Sequence, residues 1–272
     1  MTTKVRDMRS RFGFHATPFT REIEVKDRFH LPEFDEALQA MLVTLDARMS
    51  CALIAPAGTG KTSVLRAVLA SLPEARYRTH YVKVTGLSKR DMCREIAQAV
   101  GLPPAGSYPA LVRKLQDRFH ETSDTDGLRP VLILDEAQDL RPETLSMLKV
   151  LTNFDMDSRL VLSIVLAGQP GLRDLLRRDD LEDVARRISH YATLRTLTRD
   201  EIRDYVDHRC TIAGASSVPF DSGAIDALFE IGRGNLRATD ELARKSLEYA
   251  HQHDRDACAA GEVAHARKLL WP

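Results

Sequence analysis

Up to Leu197, short continuous apolar runs alternate with stretches whose apolar positions recur at helical spacing. The runs Cys51–Ala55, His80–Val84, Val131–Asp135, Leu160–Ala167 and Tyr191–Leu194 predict five strands, with helices between most of them. That order is the pattern of a parallel α/β sheet lying between helices. After Leu197 the strand signals stop, and helical periodicity marks Arg199–Gly214, Ser222–Ile231, Leu236–His251 and Gly261–Leu270. Thr198 and Asp221 sit where N-caps belong, because a short polar side chain there accepts the free backbone N–H groups of the first turn. The expectation is an α/β domain with an N-terminal extension over residues 1–197, then a small all-helical domain over 198–272. Pro103–Ser107 and Thr122–Gly127 read as turns or loops, and no repeat or low-complexity tract interrupts the pattern.

Composition narrows the function classes. The 272 residues carry 39 Lys+Arg against 39 Asp+Glu, so no overall basic charge draws the chain to nucleic acid. Clusters such as Arg177-Arg178 and Arg186-Arg187 leave local patches open. No run approaches the roughly 18 apolar residues of a membrane span, and no apolar stretch follows the basic N-terminus as in a signal peptide, so a soluble, cytoplasmic protein is expected. Cys51, Cys93, Cys210 and Cys258 are widely spaced, the pattern of reduced core cysteines rather than of a zinc site or disulfide framework. His251 and His253, two apart near a helix end, read as surface residues.

The candidate chemistry begins at Ala55-Pro56-Ala57-Gly58-Thr59-Gly60-Lys61-Thr62, which leaves an expected strand and opens an expected helix running through Leu69. That is the context of the phosphate-binding G-x-x-x-x-G-K-[ST] loop. Backbone N–H groups from Ala57 through Ser63 would curl around the phosphates of ATP, Lys61 would reach the β and γ oxygens, and the Thr62 hydroxyl would meet Mg²⁺. Ala55 replaces the motif's first glycine, which demands a backbone conformation open to a Cβ. Val131–Asp135 followed by Glu136 is a buried strand ending in two acids, with Asp135 the expected Mg²⁺ ligand and Glu136 the residue that polarises the attacking water.

Loop, acidic pair and helical C-terminal part together resemble the AAA+ superfamily. The resemblance implies an AAA+ P-loop domain followed by a helical lid, and three further roles. Gln169, in Ala167-Gly168-Gln169-Pro170, matches the polar sensor of the γ-phosphate. Arg187, in Ala185-Arg186-Arg187-Ile188, matches the finger that one subunit inserts into its neighbour, although Arg186 stands beside it. Arg237, in Gly234-Asn235-Leu236-Arg237, matches the second sensor. Lys61, Glu136, Gln169 and Arg187 form the implied catalytic set. A finger acting in trans implies a homo-oligomer, ring or helical filament, with active sites between subunits.

A more specific likeness lies in Phe12–Phe19, in Leu132–Leu140 with its Asp-Glu-Ala-Gln-Asp-Leu, in Leu151-Thr152-Asn153-Phe154-Asp155, and in Val165–Arg173. This set resembles the ExeA-type ATPases over nearly the whole chain, departing at Lys149, where arginine is usual. The resemblance implies two jobs, since the module occurs in secretion-assembly proteins and in helper ATPases of bacterial transposons, of the TniB, TnsC, IstB and MuB kind. A chain ending at Trp271-Pro272 without a membrane segment or peptidoglycan-binding part favours the helper. It would assemble with ATP on duplex DNA, largely without sequence preference, and present that target to a transposase until hydrolysis releases it. The loop Thr85–Arg90 is the expected contact, with Lys89 and Arg90 on phosphates; both residues equally suit the solvated first turn of a helix capped by Ser88. Arg113, Lys114 and Arg118 make a second, weaker patch. An ATPase component of an envelope or secretion assembly, and an ATP-switched adaptor, are the competing readings. Phe14, Phe19 and Trp271 read as packing residues, with Pro18-Phe19 a possible border of the adenine.

Overall fold

The computed structural model describes residues 7–270; Trp271 lies outside the described residues. Two compact units emerge among the described residues, one of residues 31–57 and 61–194, the other of residues 7–30, 58–60 and 195–270.

In the first unit, β1 (Ser50–Ile54), β2 (Tyr77–Lys83), β3 (Arg129–Asp135), β4 (Ser163–Gly168) and β5 (Ile188–Thr193) form one parallel sheet in the order β2-β3-β4-β1-β5. The expected five-stranded parallel sheet is therefore present, and β3, β4 and β1 are its interior strands. Every residue of β1 and β4 is buried, which is why both read as continuous apolar runs. The edge strands β2 and β5 mix buried and exposed residues instead. Each extends further toward its N-terminus than its apolar run suggested, to Tyr77 instead of His80 and to Ile188 instead of Tyr191, because Arg78, Thr79, Ser189 and His190 can be polar at an edge. The expected strand Leu160–Ala167 errs the other way. Val161 and Leu162 are buried, but β4 begins at Ser163, after an antiparallel bridge between Phe154 and Arg159 that closes a turn. That turn places Asp155, Met156 and Asp157 in succession at positive φ.

Helices connect the strands. Pro32–Asp46 buries Phe34, Ala37, Leu38, Met41 and Leu45 along one stripe, and Lys89–Ala99 buries Met92, Cys93, Ile96 and Ala97. Tyr108–Asp124 is longer than its pattern suggested: Thr122, expected in a loop, is 1% exposed and bonds back to the Arg118 carbonyl at 2.9 Å, so the last helical turn is packed. All four cysteines are buried free thiols, and burial pushes the Cys51 thiol up to about 12. Among the described residues no helix is long and apolar enough to cross a membrane.

The second unit holds four longer helices, Arg199–Ile212, Ser222–Gly232, Leu236–Gln252 and Ala260–Leu270. Both expected caps form. Thr198 accepts from the Glu201 N–H and Glu201 returns the bond to the Thr198 N–H, a full capping box, while Asp221 accepts from the Ala224 N–H. Arg209, 3% exposed, ties the N-terminal segment to these helices. Its guanidinium donates to Asp240 at 3.0 Å, to the Tyr205 hydroxyl at 2.7 Å and to the Thr20 carbonyl at 2.6 Å, and lies 5.6 Å from the Phe19 ring centre. Phe19 also meets Phe220 edge-on at 5.9 Å; like Phe14 it is a buried packing residue. At the entrance to the helices, Leu197 N–H donates to the Gly234 carbonyl at 2.8 Å. Gly234 is at φ +70°, and a Cβ there would lie 2.0 Å from the Leu197 carbonyl oxygen.

Candidate active site

The register of the sheet builds the site. Asp135 pairs with Ala167 across β3 and β4, Ile54 with Gly168 across β1 and β4, and Lys83 with Asp135 across β2 and β3. The carboxyl ends of four strands therefore finish level, and the loop following β1 leaves from the middle of them. Ala55, in the place of the first motif glycine, donates its N–H to the Gly168 carbonyl at 3.0 Å and is not among the residues at positive φ, so its Cβ is accommodated. Gly58 and Gly60, at φ +77° and +101°, take the left-handed conformations that turn the loop.

Lys61 opens the helix Lys61–Ser71 and is only 7% exposed. Its ammonium lies 2.9 Å from Asp135 Oδ1 and 2.9 Å from Glu136 Oε1. These contacts are ion pairs by distance, yet among the described residues no acceptor meets Nζ in hydrogen-bond alignment. A buried ammonium without aligned acceptors is costly, and a phosphate oxygen is the kind of group that would complete it. The residues thus fit a nucleotide triphosphate with its divalent cation.

Asp135, 4% exposed, is held by two donors besides Lys61: the Glu136 backbone N–H at 2.8 Å and the Tyr81 hydroxyl at 2.9 Å. Tyr81 pairs with Ile133 in the β2–β3 ladder, which puts its side chain on the same face as Asp135. Burial, then the Asp135 hydrogen bond and charge, push the Tyr81 phenol up, so it remains a donor. Glu136 sits at φ +58°, a strained conformation for a side chain of its size, leading into the tight turn Ala137–Asp139. Burial works to raise the Glu136 carboxyl. The Lys61 ammonium at 2.9 Å and the Gln138 and Gln169 amides outweigh it and hold the group below the usual carboxylate range.

Gln138 donates to Glu136 Oε2 at 3.0 Å and accepts from the Gln169 backbone N–H at 2.9 Å; the Gln169 amide itself lies 3.5 Å from the same carboxylate oxygen. The structure therefore gathers Lys61, Asp135, Glu136 and Gln169, and adds Gln138 and Tyr81, which the sequence reading did not single out. Gln138 lay in view within Asp-Glu-Ala-Gln, whereas Tyr81 could be found only from the register of an edge strand.

Solved structures of similar architecture include Cdc6p from Pyrobaculum aerophilum, at 21% identity and a TM-score of 0.74, over 93% of this chain and 70% of that one. The ORC1 protein of Aeropyrum pernix, solved in complex with DNA, matches at 21% identity and a TM-score of 0.69, over 94% of this chain and 70% of that one. Thermotoga maritima RuvB, a Holliday junction branch migration motor, matches at 18% and 0.56, over 90% and 68%. The chain has the AAA+ fold.

A family model described as an AAA domain matches residues 44–176, the stretch carrying the phosphate loop, Asp135, Glu136 and Gln169. General secretion pathway protein A of Aeromonas hydrophila is 30% identical over 257 residues, which make up 93% of this chain and 46% of that protein. The chain spans less than half the length of this curated relative.

The remaining residues singled out from the sequence fall as follows. Ala57, Thr62 and Ser63 are exposed on the loop and first helical turn, while the Thr59 side chain is buried. Arg187 is not gathered with Lys61 and Glu136; it forks onto Asp157 with bonds of 2.7 and 2.5 Å. Arg186 pairs with Glu182 one turn earlier, and Lys149 with Asp183. Within the second unit, Arg237 is exposed and its N–H donates to the Gly58 carbonyl at 3.1 Å. Asn235, the cap of that helix, lies so close to Gly58 that a Cβ there would come within 2.4 Å of its Oδ1. Lys89 and Arg90 form the first turn of the helix capped by Ser88, and Arg90 donates to the Gly106 carbonyl at 3.2 Å. Lys114 bonds the Ala105 carbonyl and Arg118 pairs with Glu121. His253 bonds the Tyr249 carbonyl, and its ring lies 3.9 Å from that of Tyr249.

Proposed function

We propose that the chain is a Mg²⁺-dependent ATPase that supplies energy or a nucleotide-controlled switch to a larger assembly. The observation that carries this is the convergence of Lys61, Asp135, Glu136 and Gln169 at the carboxyl end of the sheet, with the Lys61 ammonium buried and incompletely satisfied.

In this reading the backbone from Ala57 to Ser63 and the Lys61 ammonium bind the phosphates, and Arg237, at the position the resemblance gives the second sensor, adds a positive charge. Thr62 and Asp135 would hold Mg²⁺, which neutralises charge on the β and γ phosphates when bound. Glu136 is an ionised carboxylate at neutral pH and orients the attacking water, accepting its proton as the new P–O bond forms and the bond to the leaving ADP oxygen breaks. Gln169 donates its amide toward the γ-phosphate. Arg187 leaves Asp157 and completes the site of a neighbouring subunit, in a ring or helical filament.

The kind of assembly is read from the relatives. The 30% identity to general secretion pathway protein A supports service to an envelope or secretion machine. A DNA-bound helper that presents target duplex to a transposase is the second reading. It draws on the fold shared with the ORC1 protein of Aeropyrum pernix, solved in complex with DNA. Lys89 and Arg90 lend it little, because the first-turn helical placement engages Arg90 with a carbonyl. The test is ATP hydrolysis by the purified chain with and without random-sequence duplex DNA at low and moderate salt, with Glu136→Gln as control. Hydrolysis lost in the control but indifferent to DNA supports the secretion reading. Stimulation that fades with salt favours the DNA helper. No Glu136-dependent hydrolysis overturns the ATPase assignment.

A further inference from the structure

We propose that Gln138 is a positioning residue for hydrolysis, fixing one oxygen of the Glu136 carboxylate so that the other faces the attacking water. The proposal rests on the ATPase reading and adds a residue and an atomic assignment to it.

The orientation of the Gln138 amide is settled by its partners. Its Oε1 meets the Gln169 backbone N–H at 2.9 Å, and a donor requires the carbonyl end of the amide there. The Nε2 end is then the one that faces Glu136 Oε2, at 3.0 Å, where a carboxylate can only accept. Both ends of the side chain are therefore engaged by groups of opposite kind, and a flipped amide would face donor to donor and acceptor to acceptor.

The two oxygens of Glu136 are consequently unequal. Oε2 carries the Gln138 amide and, at 3.5 Å, the Gln169 amide, whereas Oε1 faces the Lys61 ammonium at 2.9 Å. The amides belong to short, packed side chains at the ends of β3 and β4, whereas Lys61 is the residue proposed to turn to phosphate. When it does, Oε1 is released while Oε2 stays tethered. The backbone alone does not aim the carboxylate, since Glu136 occupies the left-handed region at φ +58° and needs neighbours to hold it there. Gly168 makes the arrangement possible: a Cβ at that position would lie 2.8 Å from Gln138 Oε1. Through the Gln169 N–H, the same amide joins the carboxylate to the strand end that bears the γ-phosphate sensor.

Two variants separate the halves of the bridge. Gln138→Glu keeps an acceptor for the Gln169 N–H but loses the donor to Glu136; Gln138→Leu keeps the volume and loses both. Each is expected to lower kcat about tenfold or more while leaving the affinity for Mg·ATP, read with a fluorescent analogue, within about twofold. In a Glu136→Gln background, Gln138→Leu is expected to produce no further fall, because a residue that acts through Glu136 has nothing left to position. An unchanged kcat overturns the proposal. So does an equal fall in the Glu136→Gln background, or a loss of nucleotide affinity in step with kcat, either of which assigns Gln138 to general packing of the loop. A wild-type chain with no Glu136-dependent hydrolysis is a different result, and sinks the ATPase reading itself.

Discussion

Lys61 and Glu136 touch each other, yet their removal should have different signatures. On the proposed reading Lys61 contributes a charge-assisted contact to phosphate, so Lys61→Ala is expected to weaken nucleotide binding by about 10- to 100-fold. On the same reading Glu136 acts on water, so Glu136→Gln should preserve binding and lower kcat by about 100-fold or more. Titration of a fluorescent nucleotide alongside a phosphate-release assay checks both; equal binding losses would remove the distinction drawn between the two residues. These positions were legible in the sequence because phosphate chemistry imposes its spacing on consecutive residues. Tyr81 was not, since its contact with Asp135 depends on which residue of β3 it stands beside. Nor did the sequence foretell that Asp157 would hold Arg187, because the turn bearing it places three successive residues at positive φ without a glycine among them.

Among the elements, the caps were the most legible, since capping is local. The Thr198 box should be worth about 1 kcal/mol, so Thr198→Ala is expected to lower unfolding stability by that amount in urea. Its partner gives the box a pH dependence. Hydrogen bonding from Arg195 leads the causes that hold the Glu201 carboxyl down to about 2, against its ordinary 4.5. A carboxyl depressed in the folded state contributes stability above its unfolded value, and that contribution is lost as pH falls from 4.5 toward 2. Comparing wild type with Glu201→Gln across that interval should show the difference between them shrinking as the solution is acidified. Strand edges were the least legible elements. At β2 and β5 one side of the ladder has no neighbouring strand, so polar side chains are tolerated and the apolar run understates the strand's length.

For the whole molecule, the separation of Arg187 from Lys61 and Glu136 bears on assembly. The Arg187–Asp157 pair is partly in solvent, with side chains 25% and 48% exposed, so water can replace Asp157 as the arginine is recruited elsewhere. Mixing Lys61→Ala subunits, which keep Arg187, with Arg187→Ala subunits, which keep the nucleotide site, should restore part of the hydrolysis that each lacks alone. A mixture that co-assembles yet stays inactive would place the finger's action within one subunit, or remove the role from Arg187. The overall fold was readable because strand and helix periods differ, and five short apolar runs with helices between most of them, followed by four amphipathic stretches, leave few arrangements.

The backbone pairing of Gly234 with Leu197 sets a limit on how this lineage can change. Since the contact is main chain against main chain at the entrance to the helical part, the side chain at position 197 is not what makes it, and only proline, which lacks the donating N–H, would remove it from that end, whereas even a methyl group at 234 would collide with a carbonyl. Descendants of this sequence are thus free to vary the helical part's surface and its partners, but drift at one codon is closed to them.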